Sequence, residues 1–341
     1  MKTIKIIKVL LLMLLAGLST TQCKFFHKKN TYSNLPADTA QYLMWCDELA
    51  EDSNNAEVLF HRGEYLFKKK FFVKALADAN RATILDTTKA PYFLLLGDIC
   101  FAVNKTKIAV TAYQRCKSID PENYQATIKL GELFYIVKEH AQSIQQYDLA
   151  LKLQSDCEAC YFYKGLNFRE MTKLPEHMNL AVQMFQKTLS LNQNYFDAYI
   201  QLGEIYESKN PVFALEYYNG ALRIQPKSVE ALYHRAYHFQ MRHSYDSAGA
   251  DYKQILDINP NFVNAYFNVA YMNMEQRRWK AAIEGFKLVV KMDNMNAGAW
   301  YNLGECYRNT GEKVFAKQAY SECLMVDKEY PLASERLLML K

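Results

Sequence analysis

Near its C-terminus the chain reads Trp300-Tyr301-Asn302-Leu303-Gly304-Glu305-Cys306-Tyr307, and Ala316 and Tyr320 follow at helical spacing. The same arrangement can be traced backwards through most of the chain. Its small residue recurs as Gly63, Gly97, Gly131, Gly165, Gly203, Ala236, Ala270 and Gly304. The interval is constant except for a longer step from Gly165 to Gly203 and a slightly shorter step from Gly203 to Ala236. Self-similarity at such a period is the signature of a repeat protein.

Each repeat contains two apolar stripes at helical spacing with a breaker between them, which predicts a helix hairpin. A small residue where the two helices cross lets their backbones approach closely, and aromatic rings fill the remaining space. In the last repeat we therefore expect Tyr307 and Tyr320 to pack around Gly304. Several repeats close on a proline or a polar pair, as at Asp120-Pro121, because proline cannot continue the second helix.

These motifs resemble those of tetratricopeptide repeat proteins over residues 56–330, as eight consecutive repeats. The resemblance implies an all-α fold, an α-solenoid of helix hairpins that forms a right-handed superhelix. Residues 37–55 and 331–341 then supply capping helices that cover the two ends of the stack. Repeat four carries extra residues around 173–178 and repeat five is slightly short near Asn210-Pro211, so we expect the superhelix pitch to change there.

The N-terminus predicts export. Lys2, Lys5 and Lys8 precede the uncharged apolar run of residues 9–18, which is too short to span a membrane and is typical of a signal peptide at residues 1–22. Cys23 follows directly and resembles the lipid-attachment site of bacterial lipoproteins, although Thr20 and Gln22 depart from that pattern. The alternatives are ordinary cleavage nearby and an uncleaved anchor. With lipid on Cys23, residues 23–36 would form a basic tether at a membrane surface facing the periplasm.

Charge gives no support for nucleic-acid binding. The formal net charge is +5, of which three charges lie in the signal, leaving +2 for the rest of the chain. Binding through phosphates needs Lys and Arg clustered on one face. We identify no basic run beyond the tether, so we expect no nucleic-acid partner.

Two constellations could carry chemistry in an enzyme. Cys157 and Cys160 form a CxxC motif at a helix start, where thiol chemistry or a local disulfide is an option. Glu230, His234 and His238 lie at i, i+4 and i+8, with His243 nearby, and two adjacent members could share a metal. We favour structural roles for both groups, with no cofactor and no metal. Cys100 with Cys116 and Cys306 with Cys323 could form disulfides, but packing as buried thiols is favoured.

No phosphate loop or hydrolase motif is found, and the repeats leave no segment large enough for a catalytic domain. We therefore predict a binding protein. On each first helix, the residues three before, one after and four after the small residue form a stripe along the expected concave groove. Its candidate partner-binding residues are Phe60, Glu64, Phe67, Asp98, Phe101, Glu132, Tyr135, Tyr233, Tyr237, Phe267, Tyr271, Tyr301 and Glu305.

Aromatic side chains interleaved with carboxylates suit a protein or peptide segment that is apolar and neutral to basic. The alternative is that the aromatics only brace adjacent helices. We interpret the chain as a non-catalytic scaffold or adaptor of the bacterial cell envelope. The alternatives are a self-associating repeat protein, forming homo-oligomers, and a thiol- or metal-dependent enzyme.

Overall fold

The structure, a computed structural model, describes residues 36–171 and 174–340. These residues form eighteen helices and no strand. The signal peptide, Cys23 and the tether up to residue 35 lie outside them. Helix α1 spans Ala37–Glu51 and α18 spans Ala333–Met339, with eight helix pairs between them. The pairs are α2 Ala56–Lys68 and α3 Phe72–Leu85, α4 Ala90–Ala102 and α5 Thr106–Ile119, α6 Tyr124–Ile136 and α7 His140–Leu153, α8 Glu158–Glu170 and α9 Pro175–Leu191, α10 Phe196–Lys209 and α11 Pro211–Ile224, α12 Val229–Met241 and α13 Tyr245–Ile258, α14 Val263–Glu275 and α15 Trp279–Met292, and α16 Ala297–Asn309 and α17 Lys313–Val326.

The predicted all-α architecture of paired helices, with one further helix at each end, is confirmed. The helices fall into two compact units that divide within α9, between Ala181 and Val182. The first unit contains α1 to α8 and the start of α9, and the second contains the remaining helices. The right-handed superhelix and its change of pitch stay predictions.

Close approach of the two helices in a pair depends on the small residue of the repeat. A Cβ atom built at Gly304 would lie 2.6 Å from the ring of Tyr320, and one at Gly131 would lie 2.8 Å from the ring of Tyr147. These tyrosines are fully buried. The aromatic ring of the second helix therefore occupies the volume that a side chain on the first helix would need, as the repeat pattern predicts.

The two irregular repeats differ in their second helices and turns. In repeat four the second helix, α9, has 17 residues, whereas the second helix of repeat three, α7, has 14. In repeat five the single residue Asn210 separates α10 from α11. The Asn210 side chain accepts from the backbone N–H of Phe213 and caps α11. Tyr218 still packs on Gly203, so the shortened turn leaves the helix crossing intact.

The end helices pack on the outer repeats through specific contacts. On α1, Tyr42 stacks on Tyr65 with ring centroids 5.1 Å apart, and Asp38 accepts from Lys69 Nζ at 2.8 Å. On α18, Arg336 Nε donates to Glu305 Oε1 at 3.1 Å. Both end helices thereby contact the neighbouring repeat at or beside its first helix.

Candidate functional site

The candidate site is the first-helix stripe, defined as the residues three before, one after and four after the small residue of each repeat. In the first unit the predicted residues lie on α2, α4 and α6, and in the second on α12, α14 and α16. Each unit thus brings its own members onto neighbouring first helices. Their assignment to a partner-binding groove stays a prediction.

Aromatic members of the stripe in the first unit brace the helices. Phe60 stacks on Tyr92 of the next repeat, with ring centroids 4.9 Å apart. Phe67 packs on Phe72 across the turn of its own hairpin at 6.0 Å. Both rings are partly buried in the core, so little of either is open to a ligand.

The carboxylates in the first unit are engaged by other side chains. Asp98 Oδ1 accepts from the hydroxyl of the buried Tyr113 at 2.7 Å. Glu132 pairs with Lys129 at 2.8 Å, and the same ammonium lies over the ring of Phe101. Burial raises the pKa of Asp98 above its ordinary value, although the Tyr113 hydroxyl and Lys129 act against it. These acids therefore have partners within the fold and are not free for a ligand.

The remaining polar members of the stripe in the first unit, Glu64 and Tyr135, also have partners within the fold. Glu64 lies 3.5 Å from His61 on the same helix face. The Tyr135 hydroxyl donates to Glu170 Oε1 of the next repeat at 2.5 Å. Burial, and then that carboxylate, raise the pKa of Tyr135 above its ordinary value.

In the second unit, acids directly after the small residue also link a first helix to the next first helix or to the end helix α18. Glu204 lies 3.4 Å from His234 Nε2, and Glu305 lies 3.1 Å from Arg336 Nε. Each basic partner follows its acid by slightly less than one repeat. The Tyr320 hydroxyl also donates to Glu305 at 2.6 Å. The sequence did not predict that Glu305 bonds to both an arginine and a tyrosine. The recurrence of an acid followed by a base slightly less than one repeat later was visible in the sequence.

Three aromatic members in the second unit are also braces. Each ring meets another ring at 5.2–5.6 Å within its own or the next repeat. The pairs are Tyr233 with Phe262, Phe267 with Phe286, and Tyr301 with Tyr330. The bracing alternative therefore describes these rings, as it does Phe60 and Phe67.

Tyr237 on α12 differs from the other members of the stripe because its side chain is 41% exposed. Tyr271 on α14, the next first helix, is partly buried against the core of the last repeats. Burial, and then the charge of Glu275 and a hydrogen bond with it, raise the pKa of Tyr271, and the hydroxyls of Tyr245 and Tyr237 add to this. We call Tyr237, Tyr245 and Tyr271 the tyrosine surface. It presents aromatic faces and phenol hydroxyls without a cation among its members.

Two of the histidines considered as metal ligands, His234 and His238, are paired with carboxylates of α10 instead, and His243 Nδ1 lies 2.6 Å from the hydroxyl of Tyr245. His238 is 3% exposed and its Nδ1 lies 3.0 Å from Glu207 Oε2. Arg242 donates to the other oxygen of the same carboxylate at 2.6 Å. Within residues 36–171 and 174–340, no group of three or more His, Cys, Asp or Glu has the arrangement of a metal site.

The cysteines are structural where the chain is described. Cys157 and Cys160 form a disulfide, and Cys157 Sγ accepts from the Cys160 N–H at 3.1 Å at the start of α8. Both are buried, which disfavours exchange with an external thiol. The other described cysteines are buried free thiols, namely Cys46, Cys100, Cys116, Cys306 and Cys323. The two disulfides considered between the helices of one hairpin are therefore not formed.

One sequence interpretation was wrong. Lys68-Lys69-Lys70 is a basic run beyond the tether, and the turns of the first unit place it on the same edge as Lys105 and Lys107. The three consecutive lysines are visible in the sequence itself, whereas Lys105 and Lys107, about one repeat further on, join them only through the stacking of hairpins. The part of the chain that the structure describes contains no helix that is long and apolar enough to cross a membrane.

Comparison with known proteins supports the fold. The family model of the tetratricopeptide repeat matches residues 90–123 and 297–330. Human protein O-mannosyl-transferase TMTC3 is 25% identical over 325 residues, which cover 89% of this chain and 34% of that protein. Human DnaJ homolog subfamily C member 3 is 22% identical over 249 residues, covering 69% of this chain and 48% of that protein. The chain thus spans between about a third and a half of the length of these relatives.

Two solved structures are similar at the level of fold alone. The C-terminal part of a TPR repeat-containing protein from Cytophaga hutchinsonii has a TM-score of 0.60 at 16% identity, covering 71% of this chain and 98% of that one. The APC/C hetero-tetramer Cut9-Hcn1 has a TM-score of 0.51 at 13% identity, covering 95% of this chain and 67% of that one.

Proposed function

Because the chain belongs to the tetratricopeptide repeat proteins, we propose that it acts as a non-catalytic scaffold that holds a segment of a partner protein. Repeats of this kind are protein-interaction modules. The transferase activity in the name of TMTC3 belongs to a protein of which this chain matches a third. The described residues of this chain are accounted for by helix hairpins and two end helices.

The observation that carries the proposal is the tyrosine surface. Most other members of the stripe are engaged within the fold, whereas Tyr237 remains 41% exposed and Tyr271 lies on the next first helix. Tyrosine gives a large contact area at a small cost in side-chain entropy, and its hydroxyl can bond to a peptide backbone. The partner segment would therefore lie across α12 and α14.

The chemistry of the partner follows from the charges and from the way in which the chain binds its own last helix. On α18, Arg336 pairs with Glu305 of the stripe while Leu337 packs on the core of the last repeat. Near Tyr271 the charged group is the carboxylate of Glu275. An apolar segment that is neutral to basic suits this surface, because an acidic segment would meet a carboxylate of the same sign.

The proposed place of action is the bacterial cell envelope. The apolar run after Lys8 and the cysteine at position 23 support export and attachment to a membrane that faces the periplasm. These residues precede the described part of the chain, so this step rests on sequence. The adaptor would then be held close to a membrane while its repeats hold the partner.

The experiment compares the full-length chain with the Tyr237→Ala, Tyr271→Ala double variant. Partners are captured from crosslinked envelope membranes, identified by mass spectrometry and titrated in purified form. We expect the double variant to weaken binding by at least about tenfold per tyrosine, since buried tyrosines are frequent interface hot spots. Phe213→Ala is the matched control, because Phe213 has a similar exposure but lies outside the stripe.

Equal binding by the double variant and the wild-type chain would contradict this site. Circular dichroism of each variant confirms that the helices are retained. Light scattering of the purified chain tests the self-association alternative. A discrete oligomer disrupted by the tyrosine variants, with no captured partner, would replace the adaptor with a self-assembling scaffold. Intact mass of the wild-type chain and of Cys23→Ser reports whether Cys23 carries lipid.

A further inference from the structure

The turns inside the hairpins of the first unit form an edge with exposed apolar side chains. We define the turn edge as residues 68–74, 102–108 and 136–139, which connect α2 to α3, α4 to α5 and α6 to α7. Consecutive hairpins pack side by side, so these turns lie at the same end of their helices. Val73 is 85% exposed, and four further apolar residues are open to solvent: Phe71, Ile108, Ile136 and Val137.

The same edge is basic. Five lysines are exposed there and form no salt bridge with any described residue: Lys68, Lys70, Lys105, Lys107 and Lys138. Glu139 is the single acid in the three segments. The turns between repeats lie at the opposite ends of the helices and carry mainly acids, with Lys89 as a basic residue among them. These acids are Asp52, Asp86, Asp120, Glu122 and Asp156. The charge of the first unit therefore changes from basic at the turn edge to acidic at the opposite edge.

The hairpin turns place one residue of most repeats in the left-handed region of φ, and outside the lysines these are Asn104, His243 and Arg277 at φ of 55–58°. Lys70 and Lys138 both have φ of 63°, in the left-handed region that side chains avoid. The last repeat has Gly311 at the equivalent position, with φ of 83°. A residue with a Cβ atom in this region costs about 1–2 kcal/mol, which glycine would avoid.

We propose that the turn edge of the first unit lies on the surface of an anionic lipid bilayer. Its lysines would contact anionic headgroups, and each contributes to the attraction near such a surface. Val73, Phe71 and Ile108 would enter the interfacial region, as apolar side chains of peripheral proteins do. The opposite, acidic edge is repelled by the same surface, so the charge separation fixes the orientation.

The start of α1 agrees with this orientation. Asp38 pairs with Lys69 at 2.8 Å, so the chain enters the first unit beside the turn edge. A lipid on Cys23 would be joined to this edge by the short segment from 24 to 36, and the two attachments would act together. The proposal itself stands on the turns and needs no lipid on Cys23.

Exposed apolar side chains distinguish a bilayer from a nucleic acid as the occupant. Four of the five exposed apolar side chains of the edge are aliphatic, and they offer neither a hydrogen bond to phosphate nor a flat ring for a base, which Phe71 alone among the five could supply. Transfer of these aliphatic side chains from water to the acyl boundary lowers the free energy. The mixture of lysines with aliphatic side chains therefore favours lipid.

The test measures partitioning of the full chain onto vesicles of phosphatidylcholine alone and with added phosphatidylglycerol, in a Cys23→Ser background. Lys70→Glu with Lys107→Glu changes the turn edge, and Lys89→Glu with Lys152→Glu makes the same charge change at the opposite edge. We expect the first pair to weaken binding to phosphatidylglycerol vesicles by at least about twentyfold, at about fivefold per lysine. The control pair should change binding by less than about threefold, because its charges face away from the lipid.

A second measurement reports which edge faces the lipid. A fluorophore on Val73→Cys should be quenched by headgroup nitroxide lipid, and one on Thr87→Cys at the opposite edge should not. Any attachment through the N-terminal segment is common to all variants and cancels in the comparison. Equal losses for both charge pairs, or equal quenching at both positions, would overturn the proposal. The proposal would also be overturned if the Lys70→Glu, Lys107→Glu variant kept its affinity for vesicles but bound single-stranded nucleic acid more weakly.

Discussion

Tyr320 of α17 occupies the space that any side chain at Gly304 of α16 would need, since a Cβ atom there would lie 2.6 Å from its ring. The hydroxyl of the same tyrosine reaches past the glycine and donates to Glu305 at 2.6 Å. One residue thus closes the helix crossing with its ring and fixes the neighbouring acid with its hydroxyl. Tyr113 makes the same pair of contacts with Gly97 and Asp98.

Gly304→Ala should destabilise the protein. The added methyl group must displace a fully buried ring, and overpacking of this kind costs about 1–3 kcal/mol. Gly249→Ala is the matched control, because that glycine lies within α13 with no atom within 4 Å of the built Cβ. It should be neutral or stabilise by up to about 1 kcal/mol. Thermal and urea midpoints measure both, and equal midpoints for the two variants would contradict the close contact.

The buried ion pairs in repeats one and six should be stronger determinants of stability than surface pairs. Arg235 donates to both oxygens of Asp251 at 2.8 Å, and Arg62 binds Asp78 in the same way. Asp251→Asn leaves a largely buried guanidinium without its counter-charge and should lower the free energy of unfolding by about 3 kcal/mol. Glu284→Gln, which removes an exposed pair with Lys287, should change it by less than about 1 kcal/mol. Urea denaturation compares them, and a similar cost for both would show that burial does not matter here.

Two acids of the stripe should have opposite effects on the pH dependence of stability. Burial raises the pKa of Asp98 above 3.8, so the folded chain favours the protonated acid and the carboxylate opposes folding at neutral pH. At Glu305 burial also acts to raise the pKa, but hydrogen bonds from Arg308 and Tyr320 and the charges of Arg308 and Arg336 bring it below 4.5. The Glu305 carboxylate therefore stabilises the fold above about pH 4.5, and this contribution is lost as the pH falls through its lowered pKa.

Asp98→Asn should accordingly raise the thermal midpoint at pH 7, and the gain should vanish in acid below the ordinary carboxyl pKa. Glu305→Gln should lower the midpoint at pH 7, and its deficit should shrink as the pH falls below about 4.5. Melting curves between neutral and acid pH measure both differences against the wild-type chain. A gain from Asp98→Asn that grew in acid would reverse the assigned sign.

Lys70→Gly should stabilise the protein while it weakens attachment to anionic vesicles. Glycine relieves the left-handed backbone at φ of 63° but leaves the unfolded chain more flexible, so the net gain should be about 0.5–1 kcal/mol. Lys68→Gly is the control, since Lys68 is the last helical residue of α2 and glycine there should lower the free energy of unfolding by up to about 1 kcal/mol. Denaturation midpoints separate the two, and destabilisation by both substitutions would show that position 70 is not strained.

Much of the fold could be predicted because a short sequence period is local information. The hairpins follow from apolar spacing, and the positions of Gly97, Gly131 and Gly304 mark the helix crossings. Even the irregular repeats were visible in the unequal intervals on either side of Gly203. The candidate site was harder to predict from the sequence. Asp98 and Glu305 were predicted to face a ligand, but each accepts a hydrogen bond from a buried tyrosine hydroxyl. An acid on a helix face looks the same in sequence whether its partner is water or a hydroxyl on the next helix.

The sequence by itself determined the period, the helix pairs and the small residues that let them cross, because each depends on side chains a few turns apart. Only the tertiary structure decided which stripe residues remain open, since Phe60 and Tyr237 both belong to the stripe but only Phe60 is stacked on the next repeat. It also decided that lysines about one repeat apart share an edge. Exposure and charge clustering depend on neighbours brought together by stacking, and a linear pattern does not contain those distances.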